Sequence, residues 1–321
     1  MNSLAYDLFI NGAFIIHIIL APTNLGLSPL WEGHIPGTWR APQVLMEHGL
    51  EKKLRANTIS KLMSPVYSLE AQIGTRIRNG YGIRDFNLQL AEEVAKVQES
   101  GNFPLVIGGD CSILLGALAG SRRTGPISLI HIDGHSDYRH PDNYDTNQML
   151  GAVAGMDLAL ATGRGEALLT DWPDIESPLV PEQQVLQLGE RENRDADFAW
   201  PDINQTAISQ IDVFTANSIG EKGILNKIEQ MLGAQPTWRF WVHLDVDVLD
   251  QSIMPAVDSP GSPGIELSWL KNIGAQLINN PLCCGMTVSV FDPDLDPDGY
   301  YAELIIEILE EMFLRCTSPS L

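Results

Sequence analysis

The chain has 321 residues, 44% of them hydrophobic, with a formal net charge of −21 and a sequence isoelectric point of ≈ 4.5. That balance excludes a nucleic-acid partner, because a phosphate backbone demands a basic face. The length suits one large α/β domain, expected over residues 1–321.

The stretch Leu8–Ala21 is apolar but lacks a basic leader and is interrupted by Asn11, Gly12 and His17. It reads as a first strand, Ala13–Leu20, and not as a signal peptide. A helix is predicted over Phe86–Ser100, where Leu88, Leu90, Ala91, Val94, Ala95 and Val97 form a helical stripe. Strand Pro104–Ile107, helix Ser112–Gly120 and strand Ile127–Ile132 follow, then a surface excursion at Thr170–Pro181 rich in Pro, Asp and Glu. Strand Val185–Leu188, helix Ile224–Leu232, strand Phe240–Leu244, helix Ser268–Ile278, strand Met286–Phe291 and helix Ala302–Arg315 complete the chain. Strands that are apolar almost throughout, alternating with helices, indicate a parallel sheet covered on both faces. No apolar run is long enough to span a membrane. The four cysteines Cys111, Cys283, Cys284 and Cys316 make no disulfide framework, so a reduced, cytoplasmic protein is expected.

In parallel sheets ligands bind beyond the carboxyl ends of the strands. Here three strands run into Gly108-Gly109-Asp110-Cys111-Ser112, Asp133-Gly134-His135-Ser136-Asp137 and Asp245-Val246-Asp247. Alternation sends Asp133, His135 and Asp137 to one side of an extended segment, and Asp245 and Asp247 likewise. Four aspartates at one locus repel unless cations compensate them, and no Lys or Arg lies within the three motifs. Two divalent ions bridged by shared carboxylates meet that need and generate a nucleophile from water near neutral pH. A lone Asp-x-Asp is more often a solvated turn or helix cap. The metal reading rests on all three motifs following predicted strands in one chain.

The same motifs resemble the arginase/agmatinase/formiminoglutamase (ureohydrolase) family, whose pattern is Gly-Gly-Asp-His-Ser, Asp-Ala-His-x-Asp and Asp-Val-Asp-x-Leu-Asp-Pro. They stand here at Gly108–Ser112, Asp133–Asp137 and Asp245–Gln251, with similar later segments at Ser259–Gly264 and Phe291-Asp292-Pro293. The resemblance implies a three-layer αβα fold with a mainly parallel sheet, a dimanganese site and hydrolysis of a C–N bond at an amidino-type carbon. It implies that Asp133 and Asp245 bridge, that His135 and Asp247 complete one metal, and that Asp137 and Cys111 complete the other. It also implies a small-molecule substrate and a homo-oligomer.

Three departures stand out. The family's histidine ligand is Cys111, whose softer sulfur favours zinc, iron or nickel over manganese. The family's catalytic histidine is replaced within Ala154-Gly155-Met156, leaving His140 as the candidate substitute and Asp137 as the second candidate catalytic group. The family's guanidinium-binding glutamate aligns with Val290, which cannot pair with a cation. The expected function is therefore metal-dependent C–N hydrolysis of an amidine, guanidino or amide substrate other than arginine. The alternatives are deacetylase-like hydrolysis, disfavoured by the lack of a His-His pair, and a silent metal-binding subunit paired with an active paralogue.

Overall fold

The computed structural model describes residues 15–56, 58–195 and 200–314. The expected first strand residues Ala13 and Phe14, the helix end at Arg315, and Cys316 lie outside them. Eight strands are found among the described residues: β1 Ile16–Ala21, β2 Thr58–Lys61, β3 Phe103–Gly108, β4 Ile127–Ile132, β5 Val185–Leu188, β6 Ser209–Ile211, β7 Arg239–Asp245 and β8 Cys283–Ser289. They form one sheet in the order β2-β1-β3-β8-β7-β4-β5-β6, parallel throughout. Helices cover both faces, giving the three-layer α/β fold.

The inner strands are apolar because both of their faces are buried. Alternate residues feed two cores: Leu105 and Ile107, Ile130 and Ile132, and Val242 and Leu244 on one face, against Val106, Leu129 and Trp241 on the other. Strands β2 and β6 were not expected from the sequence. Both sit at the sheet edges and are largely polar and only partly buried, so they carry no apolar run to read.

Helix Gly80–Glu99 begins ahead of the expected Phe86 and packs on helix Ile113–Arg122. The two approach closely at Gly116 and Gly120, where an added Cβ would lie 2.6 Å from Asn87 Oδ1 and 2.5 Å from the Ala91 carbonyl oxygen. The segment Thr170–Pro181 is not a simple surface excursion, since Trp172, Leu179 and Val180 are buried in the second core. β8 stops at Ser289, short of the expected Phe291, because Val290 turns to φ 74. No helix among the described residues is long and apolar enough to cross a membrane.

This topology positions the site. β3 and β4 are consecutive in sequence, yet β8 and β7 lie between them. The ends of these four strands open on the kind of crevice where parallel sheets take ligands.

Candidate metal centre

Three strand ends share one local device. Asp110, Asp133 and Asp245 each accept, at Oδ1, the backbone N–H of the residue two positions on: Ser112 at 2.9 Å, His135 at 2.6 Å and Asp247 at 2.8 Å. Such a turn bends the chain off the strand and fixes the carboxylate plane, which leaves Oδ2 aimed elsewhere. At Asp133, Oδ2 is buried without a hydrogen-bond partner. At Asp245, Oδ2 accepts from Cys111 Sγ at 2.9 Å. Turn chemistry and site chemistry divide these carboxylates oxygen by oxygen.

The outer part of the cluster is Asp133, His135 and Asp247, whose ligand atoms lie within 4.8 Å of one another. His135 Nδ1 is 2.9 Å from Asp247 Oδ2. Asp247 Oδ1 accepts from the Gly134 N–H at 3.0 Å, and Arg191 donates to the Asp247 carbonyl oxygen. Burial alone would raise the Asp247 carboxyl, but His135 and then Arg191 outweigh it and hold it below its ordinary range. Burial likewise opposes the charge on His135, yet Asp247 and Asp133 keep its imidazole well above the ordinary value. Glu192 stands at the open side, with a partly exposed carboxylate 3.6 Å from His135 Nε2. Burial raises that carboxyl.

The inner part comprises Cys111, His131, Asp137, Asp157 and His243, all buried. His131 Nε2 is 3.3 Å from Asp157 Oδ1, and His243 Nε2 is 3.6 Å from Asp157 Oδ2. The two imidazoles stack with centroids 5.0 Å apart and 25° between planes. Here the protein supplies little compensation. Burial, reinforced by neighbouring carboxylates, pushes Asp137 and Asp245 well above the ordinary range. Asp157 is pushed up to about 6 by burial despite the opposing pull of His131. Burial and the surrounding aspartates raise the Cys111 thiol far enough to keep it a neutral donor to Asp245.

Cys111, Asp133, His135, Asp137, Asp245 and Asp247 are thus brought to one locus. Both Asp245 oxygens accept hydrogen bonds, Oδ1 from the Asp247 N–H and Oδ2 from the Cys111 thiol. His140 is a correction. Its Nε2 pairs with Asp202, its Nδ1 faces Asp142 at 3.9 Å, and its ring packs edge-on against Tyr138. Only Nε2 is hydrogen-bonded to an acid, Asp202, and His140 belongs to none of the ligand groups found among the described residues. Ala154 sits in a short turn with its N–H on the Gly26 carbonyl oxygen, and Val290 is buried.

Sequence reasoning missed His131, Asp157, His243, Arg191 and Glu192. The histidines did leave a signal. His131-x-Asp133 and His243-x-Asp245 place each imidazole in phase with the first aspartate of its motif, and β4 pairs with β7 so that His131 lies opposite His243. The donor set, carboxylate oxygens with imidazoles and a buried unpartnered Asp133 Oδ2, fits divalent cations.

The chain is also similar to known proteins, in sequence and in fold. The model of the Arginase family matches residues 18–314. The arginase of Bacillus caldovelox is 30% identical over 248 residues, covering 76% of this chain and 80% of its own. The native structure of that organism's arginase superposes with a TM-score of 0.80 at 24% identity, covering 94% of this chain and 98% of the other. The Trypanosoma cruzi formiminoglutamase structure determined with Mn2+ superposes with a TM-score of 0.69 at 16% identity, covering 98% and 99%.

Proposed function

The chain belongs to the arginase family, and from that premise we propose that it is a metal-dependent hydrolase breaking a C–N bond of a small amidine, guanidino or amide substrate other than arginine. The observation that carries this is Asp133. Its carboxylate belongs both to the outer ligand group and to an inner one with His131 and Asp137, and its Oδ2 is buried without a partner. Shared carboxylates of this kind suit two divalent ions, manganese by family membership. Such ions lower the cost of forming a nucleophile from water and stabilise developing charge.

The chain's own residues set the rest. Glu192, partly exposed and raised by burial, is placed to take up and return a proton at the open side of the pocket. Asp258, pushed up to about 6 by burial and by Asp247, adds a second acid near His135. Acids at this face favour a cationic amidine or guanidino head. Val290, where the family places a glutamate, is buried and apolar, which supports a substrate other than arginine. A cytoplasmic homo-oligomer belongs to the same proposal.

The test is protein stripped of metal, reloaded with manganese or zinc, and incubated with arginine, other guanidino acids and amines, formimino compounds and simple amides. Release of urea, formamide or ammonia is measured for each. Metal-dependent release from a member other than arginine is expected. A fully loaded protein that releases nothing from any of them would retire the enzymatic reading. One observation favours a second reading, a silent metal-binding subunit: neither Ala154 nor Val290 carries a titratable group. A fully loaded but inactive protein is that reading's signature.

A further inference from the structure

We propose that His131, Asp157 and His243 form the seat of the inner ion, an imidazole–carboxylate–imidazole set suited to zinc or iron(II), and that Cys111 is a neighbour of that ion and not a ligand. This rests on the reading that the cluster holds divalent ions, and it names which residues hold one of them.

Position 111 lacks the nitrogen donor that the metal-site pattern calls for there, but two imidazole nitrogens stand one pleat deeper. His131 and His243 come from adjacent parallel strands in register, so both rings leave the same face of the sheet. They stack, and both Nε2 atoms face Asp157 from either side, at 3.3 and 3.6 Å. Each nitrogen stands off a different Asp157 oxygen, at a separation close to the about 3.4 Å between two ligands that are each about 2.1 Å from a tetrahedral zinc. The three donor atoms lie within 4.8 Å of one another.

The second observation is an unmet need. Asp157 is fully buried and its Oδ2 has no hydrogen-bond partner, as is also true of Asp133 Oδ2 and His131 Nδ1. A buried carboxylate oxygen left unpaired is destabilising, and a bound ion would remove that penalty.

The third observation is an outer shell. Trp241 Nε1 donates to Thr287 Oγ1 at 3.3 Å, and the same oxygen lies 2.7 Å from His243 Nδ1. The Thr287 oxygen, already accepting from Trp241, can also accept from Nδ1 of His243; in that tautomer Nε2 carries the lone pair and faces Asp157, with the Ser289 hydroxyl 3.5 Å away. Metal-bound histidines are held in this way by the partner on their other nitrogen. Cys111, by contrast, gives its proton to Asp245 Oδ2 at 2.9 Å and lies 3.1 Å from Ser289 Oγ. Two imidazoles and a carboxylate form the donor set of zinc hydrolase sites and of open iron(II) sites.

The experiment is elemental analysis of full-length protein dialysed against zinc, with folding followed by far-UV circular dichroism. The wild type is expected to hold two ions per chain. Asp157→Asn and the double variant His131→Gln/His243→Gln are each expected to hold one, His135→Gln to lose the other, and Cys111→Ser to keep two. Should Asp157→Asn fail to fold, His243→Asn keeps a donor toward Thr287, removes Nε2 and carries the same expectation. Cobalt-loaded wild type should show ligand-field bands that weaken in Asp157→Asn, without a thiolate charge-transfer band. Two ions retained in folded Asp157→Asn, or a fall to one in Cys111→Ser, overturns the inference. So does a wild type holding one ion that His135→Gln alone removes, which makes the inner trio a proton-sharing network while the metal-dependent reading stands. A wild type that binds no ion overturns both.

Discussion

The outer and inner halves of the centre are built from the same residue types and reach opposite electrostatic states. In the outer half, Asp247 lies against His135 and has a guanidinium and a backbone N–H beside it, so its carboxylate stays ionised despite burial. In the inner half, Asp137 and Asp157, and Asp245 beside them, have other carboxylates as neighbours, and burial pushes all three upward. One half is compensated by the protein. The other awaits an external cation or holds protons. A carboxylate cluster is therefore described by the positive charge that reaches each oxygen, and the count of aspartates says little.

The largest test removes the residue the halves share. Asp133→Ala is expected to lose the outer ion and to weaken the inner one, whose His131 it neighbours, lowering turnover by at least the about 10–100-fold usual for an outer-shell partner. Elemental analysis beside a kinetic assay reports both, and retention of one tightly bound ion would show that the halves are independent.

Next is the pH dependence of stability. Without metal, Asp157 and Glu190 hold their protons more tightly folded than unfolded, being pushed up by burial to about 6 and about 7. Their contribution is full below the ordinary values of 3.8 and 4.5 and is lost as pH rises through the folded values. His131 is also raised, its desolvation being outweighed by Asp157, so its contribution is full below 6.5 and fades above the folded value. Asp247, depressed, works the other way and matters only in acid, where its contribution is lost as pH falls through the folded value. Metal-stripped protein should therefore melt higher near about pH 5 than near about pH 8. Zinc-loaded protein should reverse the order, because ligands must lose protons to bind. Thermal melts across pH with and without chelator decide it. Parallel profiles would mean that the inner carboxylates are already compensated.

A smaller effect is expected at Gly134. A Cβ there would lie 2.0 Å from Arg191 Nη2 and 2.8 Å from Asp247 Oδ1. Gly134→Ala should cost about 1–3 kcal/mol and weaken the outer ion alone. Chemical denaturation with metal titration measures both, and an undiminished affinity would show that Arg191 has no part in holding Asp247. The smallest effect belongs to His140→Gln. Loss of the Asp202 pair should cost about 1 kcal/mol with metal content and turnover unchanged. A large fall in turnover with intact folding would restore His140 to the chemistry.

Much of the site was legible in the sequence because strand phase is written locally. The alternation Asp133, His135, Asp137 and the pair Asp245, Asp247 are visible without knowing what lies opposite. His131 and His243 carried the same phase, but inside apolar strands they read as core, and only the in-register pairing of β4 with β7 made them neighbours. Asp157 had no motif at all; it reaches the cluster because the turn at Val153–Gly155 feeds the short helix Asp157–Ala161 beneath Asp137. The edge strands β2 and β6 were missed for a related reason, since half-exposed residues need not be apolar.

The sequence by itself determined which segments become buried strands, which face each motif residue takes, and that three acidic motifs end on one edge of a parallel sheet. Those follow from side-chain periodicity, a property of neighbouring residues. Only the tertiary structure decided that His140 belongs to Asp202, that Val290 closes β8 at φ 74, and which carboxylates are paired and which are left wanting a cation. Protonation and ligation depend on desolvation and on distances between groups as far apart in sequence as Cys111 and Asp245, and such distances exist only once the chain has closed on itself.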